Sequence, residues 1–513
     1  MFHFLLLKVL LFQALFITAV FAEKDTPVIK KQPLKIVFMF GQSEMVGQAK
    51  VSSASYMLQK PLVPPREATL NAHKAMLHQI NGAYLYWQAM EAYIGSEEKK
   101  LKELISKRSE FRKGFKQFVI DELNKNDGNF RGKHYAKRRG FWLFNMLDLE
   151  AEKEGVTPKI RTILDAVENK FNVATAYEQL LKDSKQRYQK QLKLNQYLLK
   201  GTTLEQFKAF ENESSRLKIE MQKNTALSIE AQRTKYASLA TKHLNLPIAK
   251  RTHIVSLGST AGTTKEEAGN YTYGPLSVGF GSSIETLGLE YSVGLALESQ
   301  SDAPILIIKC AWNKRENITQ LWRPTETGKE AWALELIYAQ VKEVLQNLNK
   351  VHPNYDPKVG HELAGMVWFN GINDRADSDY GKHLKALITD IRSHFNNPKL
   401  PIVCATVGDV LFEKQSDDLA INIAMKEIAK TPILKANFGI VDVREFFPGE
   451  LRVINSMFFK RKLADKSMQL VIQQATGAKG KRSPPYMGSA VFYLLAGNEI
   501  GLKLAEMINK GSY

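Results

Sequence analysis

Apolar residues recur along this chain in two different rhythms. Short continuous runs at 34–40, 253–257, 304–311, 364–369, 400–406 and 438–443 are too unbroken for half-exposed strands and suit strands buried on both faces. Several are followed by a three-to-four-residue apolar repeat, as at 330–348, which predicts a helix. Runs alternating with helices predict a three-layer α/β fold, a mainly parallel sheet covered on both sides. In such a sheet ligands bind beyond the carboxyl ends of the strands, so the informative residues should follow each run.

The second rhythm fills 61–249. Leu77, Ile80, Tyr84 and Trp87 are spaced for one face of a helix, and Leu204, Phe207, Leu217 and Met221 follow the same spacing more loosely. Gly201 followed by Thr202, Thr203, Leu204 and Glu205 reads as one helix ending and a capping box opening the next, which predicts a helical hairpin over about 173–241. The segment reads as a long helical insertion, protruding from the core or packed along its rim. The sheet should be uninterrupted on either side of it. The domain reading is therefore a discontinuous α/β domain at 34–60 and 250–510, with a basic helical insertion at 61–249.

Charge follows the same division. The chain of 513 residues carries a net +18, which would ordinarily bring nucleic acid or an anionic surface to mind. Residues 61–250 hold 34 Lys and Arg against 22 Asp and Glu, so most of the excess sits in one segment and nucleic acid is not an expected partner. The run at 131–139, with Lys133, Lys137 and Arg138, reads first as a solvated interhelical loop, and has the chemistry to hold an anionic polymer. Residues 1–22, with Lys8 ahead of an apolar core and a Val20-Phe21-Ala22 ending, read as a signal peptide. Its core is too short to span a membrane, so the expectation is an exported protein, periplasmic or extracellular. Cys310 and Cys404 fit one disulfide or two buried thiols, and two cysteines build no metal site.

Candidate chemistry appears where the strands end. The first run leads directly into Gly41-Gln42-Ser43-Glu44-Met45-Val46-Gly47. A serine at a strand-to-helix turn can expose its hydroxyl while the next amides face a developing oxyanion. The run ending at Phe369 leads into Asn370-Gly371-Ile372-Asn373-Asp374-Arg375, where an asparagine amide could donate to the same oxyanion. Taken singly, each block also reads as an ordinary turn.

Together the blocks resemble the SGNH hydrolases, a flavodoxin-like architecture, and within them the sialate O-acetylesterase and carbohydrate esterase family 6 group. That group carries GQSNM, a GPE-type block, a KxAWGG-like block and WxQGxxD or WxQGExN. Here they read GQSEMVG at Gly41, LGLEYSVG at Leu287, KCAWNK at Lys309 and WFNGIND at Trp368, in order, over 34–50 and about 253–508. The resemblance implies an acetylesterase acting on acetylated carbohydrate, with no metal or organic cofactor. It implies Ser43 as nucleophile, Gly288 and Asn373 as oxyanion donors with the Ser43 amide, and Asp374 in support. It also implies Gln42, Trp312, Asn370 and Arg375 on the substrate. The group's C-terminal histidine precedes a YxGSA-like stretch, and its place is taken by Pro485, which cannot accept a proton. Glu44 stands for the Asn of GQSNM, Asn370 for the Gln of WxQG, and Ile372 where some members carry Glu. Glu44 opposes an oxyanion by its charge, and it also has the chemistry of a substitute base. Two further readings follow from these departures: an impaired homologue that binds glycans, and an interaction scaffold built on the insertion.

Overall fold

The computed structural model describes residues 31–60, 173–224, 226–257, 271–312, 317–322, 332–374, 379–408, 420–448, 451 and 485–511. The signal-peptide reading, the helical pattern from Leu77 to Trp87, the basic run at 131–139 and Arg375 lie outside them.

Each expected run is a strand. β1 (Leu34–Gly41), β3 (Thr252–Leu257), β6 (Ile305–Ala311), β7 (His361–Phe369), β8 (Ile402–Ala405) and β9 (Phe438–Val441) run parallel in one sheet, with β4 (Tyr271–Pro275) antiparallel at its edge. The order is β4-β3-β6-β1-β7-β8-β9, and β2 (Ala49–Lys50) pairs separately with β5 (Thr286–Leu287). β4 was not legible as a strand because its sequence, YTYGP, alternates and stays half-exposed. The chain fills one side of β1 with β3 and β4, returns to place β6 between β1 and β3, and then crosses to the other side with β7. The switch point, and the crevice it opens, therefore lies at the carboxyl end of β1.

Successive side chains of β1 enter opposite layers. Val37 borders a small recess with Leu297, Ala505 and Ile508, on α5 (Leu289–Ser299) and α8 (Ala490–Gly511). Phe38 instead meets Phe395, which also touches Tyr338. Tyr338 belongs to α6 (Trp332–Gln346), and Phe395 caps α7 (Tyr380–His394). Two layers therefore sandwich the sheet, as the continuous apolar runs require.

The inserted segment departs from the expected hairpin: its described part is three helices, α2 (Val173–Leu194), α3 (Leu204–Lys223) and α4 (Ile229–Leu244). The capping box falls one residue later than its reading, with Thr203 accepting from the Gln206 amide at 3.3 Å and Gln206 accepting from the Thr203 amide at 2.7 Å. A second cap at Ser228, accepting from Ala231, restarts the chain as α4. No strand occurs among its described residues. The helices belong to the main core: Phe207, Phe210 and Tyr236 are buried, and the Phe210 ring meets Tyr236 edge-on at 5.6 Å. α3 leans on the 3₁₀ turn Val51–Leu58 and α4 on β4, so the segment lies along the rim. None of the described helices is long and apolar enough to cross a membrane.

Cys310 on β6 and Cys404 on β8 are separated by β1 and β7, about 14 Å at the usual strand spacing. That is beyond disulfide reach, and both thiols are free, with burial pushing their pKa values up.

Candidate active site

Ser43 opens α1 (Ser43–Val46), a single turn directly after β1, in which the Gln42 carbonyl accepts from the Met45 and Val46 amides at 2.7 and 3.1 Å. The turn sits hard against β7. A β-carbon on Gly41 would lie 2.1 Å from the Phe369 carbonyl oxygen, so only glycine allows this approach. Since Gly41 and Phe369 are register partners, the Ser43 turn and the turn Ile372–Asp374 leave the sheet from adjacent strand ends. Ser43 is half-buried and Asn373 exposed. The sheet thus brings together the two groups expected to attack and to stabilise.

Two carboxylates are sealed beside them. Glu44 is 1% exposed and Asp374 is 2% exposed. Asp374, expected in support, accepts from the Ile318 amide at 2.8 Å and so anchors the start of the short helix Ile318–Leu321. The Tyr380 hydroxyl accepts from Trp368 Nε1 at 3.0 Å and donates to the Asn370 carbonyl at 3.3 Å. Burial first, and then the fields of Asp374 and, more weakly, Glu44, push its pKa well up. One hydroxyl therefore feels both carboxylates from the floor of the site.

Asn370 is 1% exposed, and among the described residues neither its side-chain oxygen nor its nitrogen has a hydrogen-bond partner. A buried amide left so costs about 1–3 kcal/mol, and such a group is a natural reader of a ligand hydroxyl. Gln42 and Trp312, expected on the substrate, are both 0% exposed. Trp312 packs 5.8 Å from Trp322 in an aromatic cluster that continues to Trp368, so its indole serves the core.

Gly288, expected as an oxyanion donor, has its amide engaged within the protein. Its amide donates at 2.8 Å to Glu290 Oε1, so that N–H already faces an anion. The partner oxygen, Oε2, accepts from Lys309 Nζ at 2.9 Å, in an ion pair with no exposure on either side chain. The same ammonium donates to the carbonyls of Val46 and Phe280, both at 2.8 Å. Burial pulls the Lys309 pKa down, and Glu290 opposes the shift. This pair was missed in the sequence, although its signal was there: a lysine inside the apolar run ILIIKCA must be paired to be buried.

Where the resembling group carries histidine, the turn Pro485–Gly488 packs against α1. Tyr486, Met487 and Gly488 have φ of 50°, 53° and 66°, a left-handed succession that costs energy at the two non-glycine positions. The turn is held by Tyr486, whose ring stacks on Phe492 at 3.6 Å and whose hydroxyl accepts from the Gly408 amide at 3.2 Å. The position is therefore at the site, and the residue in it is a proline.

Residues 264–445 match the family described as carbohydrate esterase, sialic acid-specific acetylesterase. No curated protein matches the chain. Among solved structures, a protein from Arabidopsis thaliana aligns at 15% identity over 40% of this chain and 77% of its own, with a TM-score of 0.26. A carbohydrate acetylesterase from Xanthomonas citri aligns at 13% identity over 45% of this chain and 50% of its own, at 0.28. NanS aligns at 13% over 39% and 69%, at 0.26. The match spans the Gly288–Glu290 block, the Lys309 block and the Trp368–Asp374 block, and over this segment, about a third of the chain, the protein is similar to the sialic acid-specific carbohydrate acetylesterases; the Ser43 turn lies outside it.

Proposed function

We propose that this chain is an exported carbohydrate O-acetylesterase-type protein in which Ser43 is the nucleophile, Asn373 and the Ser43 amide receive the oxyanion, and the histidine base is absent. The observation that carries this reading is the Pro485–Gly488 turn lying against α1, with a proline where a proton acceptor is required. In full form the reaction is acyl transfer. Ser43 Oγ attacks the acetyl carbon, its proton passes to a base, the sugar oxygen leaves with a proton, and water then releases acetate. Without the base, turnover rests on the oxyanion donors and on binding. The unpaired Asn370 amide supports recognition of a sugar hydroxyl, and the buried Glu44 beside Ser43 favours a second reading, a domain that holds acetylated glycans with little hydrolysis.

The double change Pro485→His with Glu44→Asn should raise p-nitrophenyl acetate turnover by roughly 10²–10⁴, the usual worth of general base help, and Ser43→Ala should abolish the gain. If the unmodified protein already turns over like an ordinary esterase and Ser43→Ala removes that activity, the absent-base reading is wrong, and Glu44 becomes the first residue to test. Export is tested separately, by N-terminal sequencing of protein recovered from the periplasm or medium. A mature start near Glu23 is expected.

A further inference from the structure

The Ser43 turn and the helical segment are far apart in sequence and are joined through the loop at 276–286. Arg233 of α4, 6% exposed, donates from Nε to the Gly279 carbonyl at 2.9 Å and from Nη2 to Thr272 Oγ1 at 3.1 Å. Its guanidinium lies 4.0 Å from the centre of the Phe280 ring. Gly279, at φ +98°, leaves no room for a side chain against the Arg233 stem.

The far side of the same loop grips the turn. The Phe280 carbonyl accepts from Lys309 Nζ, which also donates to the Val46 carbonyl at the end of α1. The Ser282 amide donates to the Gly47 carbonyl at 2.7 Å, and the Val51 amide donates to the Glu285 carbonyl at 3.0 Å. Lys218 of α3 pairs with the Glu285 carboxylate at 2.9 Å. Two backbone bonds, at Gly47 and Val51, and a bridge through Lys309 to Val46 thus tie the turn and the chain just after it to a loop whose outer face is bonded to α3 and α4.

We propose that the helical segment is a positioning element for the Ser43 turn, acting through Arg233, Phe280 and the Lys309–Glu290 pair. Arg233 is a positioning residue and touches no reacting atom; its catalytic consequence rests on the reading of Ser43 as nucleophile. Its geometric consequence does not. A guanidinium that meets two acceptors in fixed directions while lying on a ring orients the loop as a plane, which an ammonium cannot do.

The test compares Arg233→Met with Lys235→Met in the full chain, since Lys235, exposed on the other face of α4, pairs among the described residues with Glu220 of α3. In hydrogen exchange, amides at 41–49 should exchange about tenfold faster in Arg233→Met and stay unchanged in Lys235→Met. Arg233→Lys should lie between wild type and Arg233→Met. If Arg233→Met does not fold, Phe280→Leu, which removes the ring and keeps an apolar side chain, should give the same localised loosening. Exchange at 41–49 unchanged in a folded Arg233→Met or Phe280→Leu protein overturns the proposal, as does loosening spread evenly over the chain. Fluorophosphonate labelling judges the other reading: a Ser43 that fails to label even in the Pro485→His, Glu44→Asn protein sinks the nucleophile assignment, while the exchange result still decides the positioning role.

Discussion

The two edges of the sheet carry opposite chemistry. At the carboxyl edge, Ser43, Asn370, Asn373 and Asp374 gather with Glu44, and the Lys309–Glu290 pair lies dry beneath them. At the amino edge sit imidazoles: His253 near the start of β3, His361 at the start of β7, and His352, whose ring centre is 4.4 Å from that of His253. The protein is not short of histidine, but these are placed a full strand length from the serine. The difference teaches that position within the sheet, more than the inventory of side chains, decides which groups can meet the Ser43 turn.

The strongest way to break the carboxyl edge is Lys309→Met. Removing one partner of a buried pair leaves an uncompensated charge and should cost about 3–5 kcal/mol in urea unfolding. Lys309→Met with Glu290→Gln should recover part of that loss, because the glutamine still accepts from the Gly288 amide and no charge remains buried. Equal stability of the two variants would mean that the pair's charge is not what holds the edge.

The amino edge should respond to acid. Burial, and then the neighbouring His352, pull the His253 pKa down from 6.5 to about 4, against the attraction of Glu298. The folded form therefore binds fewer protons than the unfolded chain between those values. Stability should be level above pH 7 and fall as pH drops from about 6.5 towards 4. In His253→Phe the fall across that window should be smaller than in the wild type. Matching curves for the two proteins would remove His253 from the acid response.

The smallest effect sharpens the comparison. His383 lies in the first turn of α7, the helix that starts from the carboxyl edge, and it is half-buried. If no described imidazole serves Ser43, His383→Gln should leave p-nitrophenyl acetate turnover unchanged in the wild type and in the Pro485→His, Glu44→Asn protein. A selective loss of turnover would identify His383 as the missing base.

The sequence by itself determined the parallel strands, because a strand covered on both faces must be apolar at every position and few other elements produce such short unbroken runs. It also determined the strand-end blocks, since a glycine-flanked serine after β1 and asparagines after β7 have a local geometry that neighbouring residues dictate. The edge strand β4 escaped it, as did the break between α3 and α4, where the Ser228 cap competes with a helical pattern that otherwise continues. Only the tertiary structure decided which of the candidate groups are open. Trp312 and Gln42 lie at strand ends, yet side chains from distant elements bury them. The Gly288 amide was taken by a carboxylate two residues away, an outcome fixed by Lys309 arriving from another strand. The role of the helical segment was the least legible, because a contact between Arg233 and the loop behind Ser43 depends on how α4 meets β4, and nothing in the local pattern of either encodes the other.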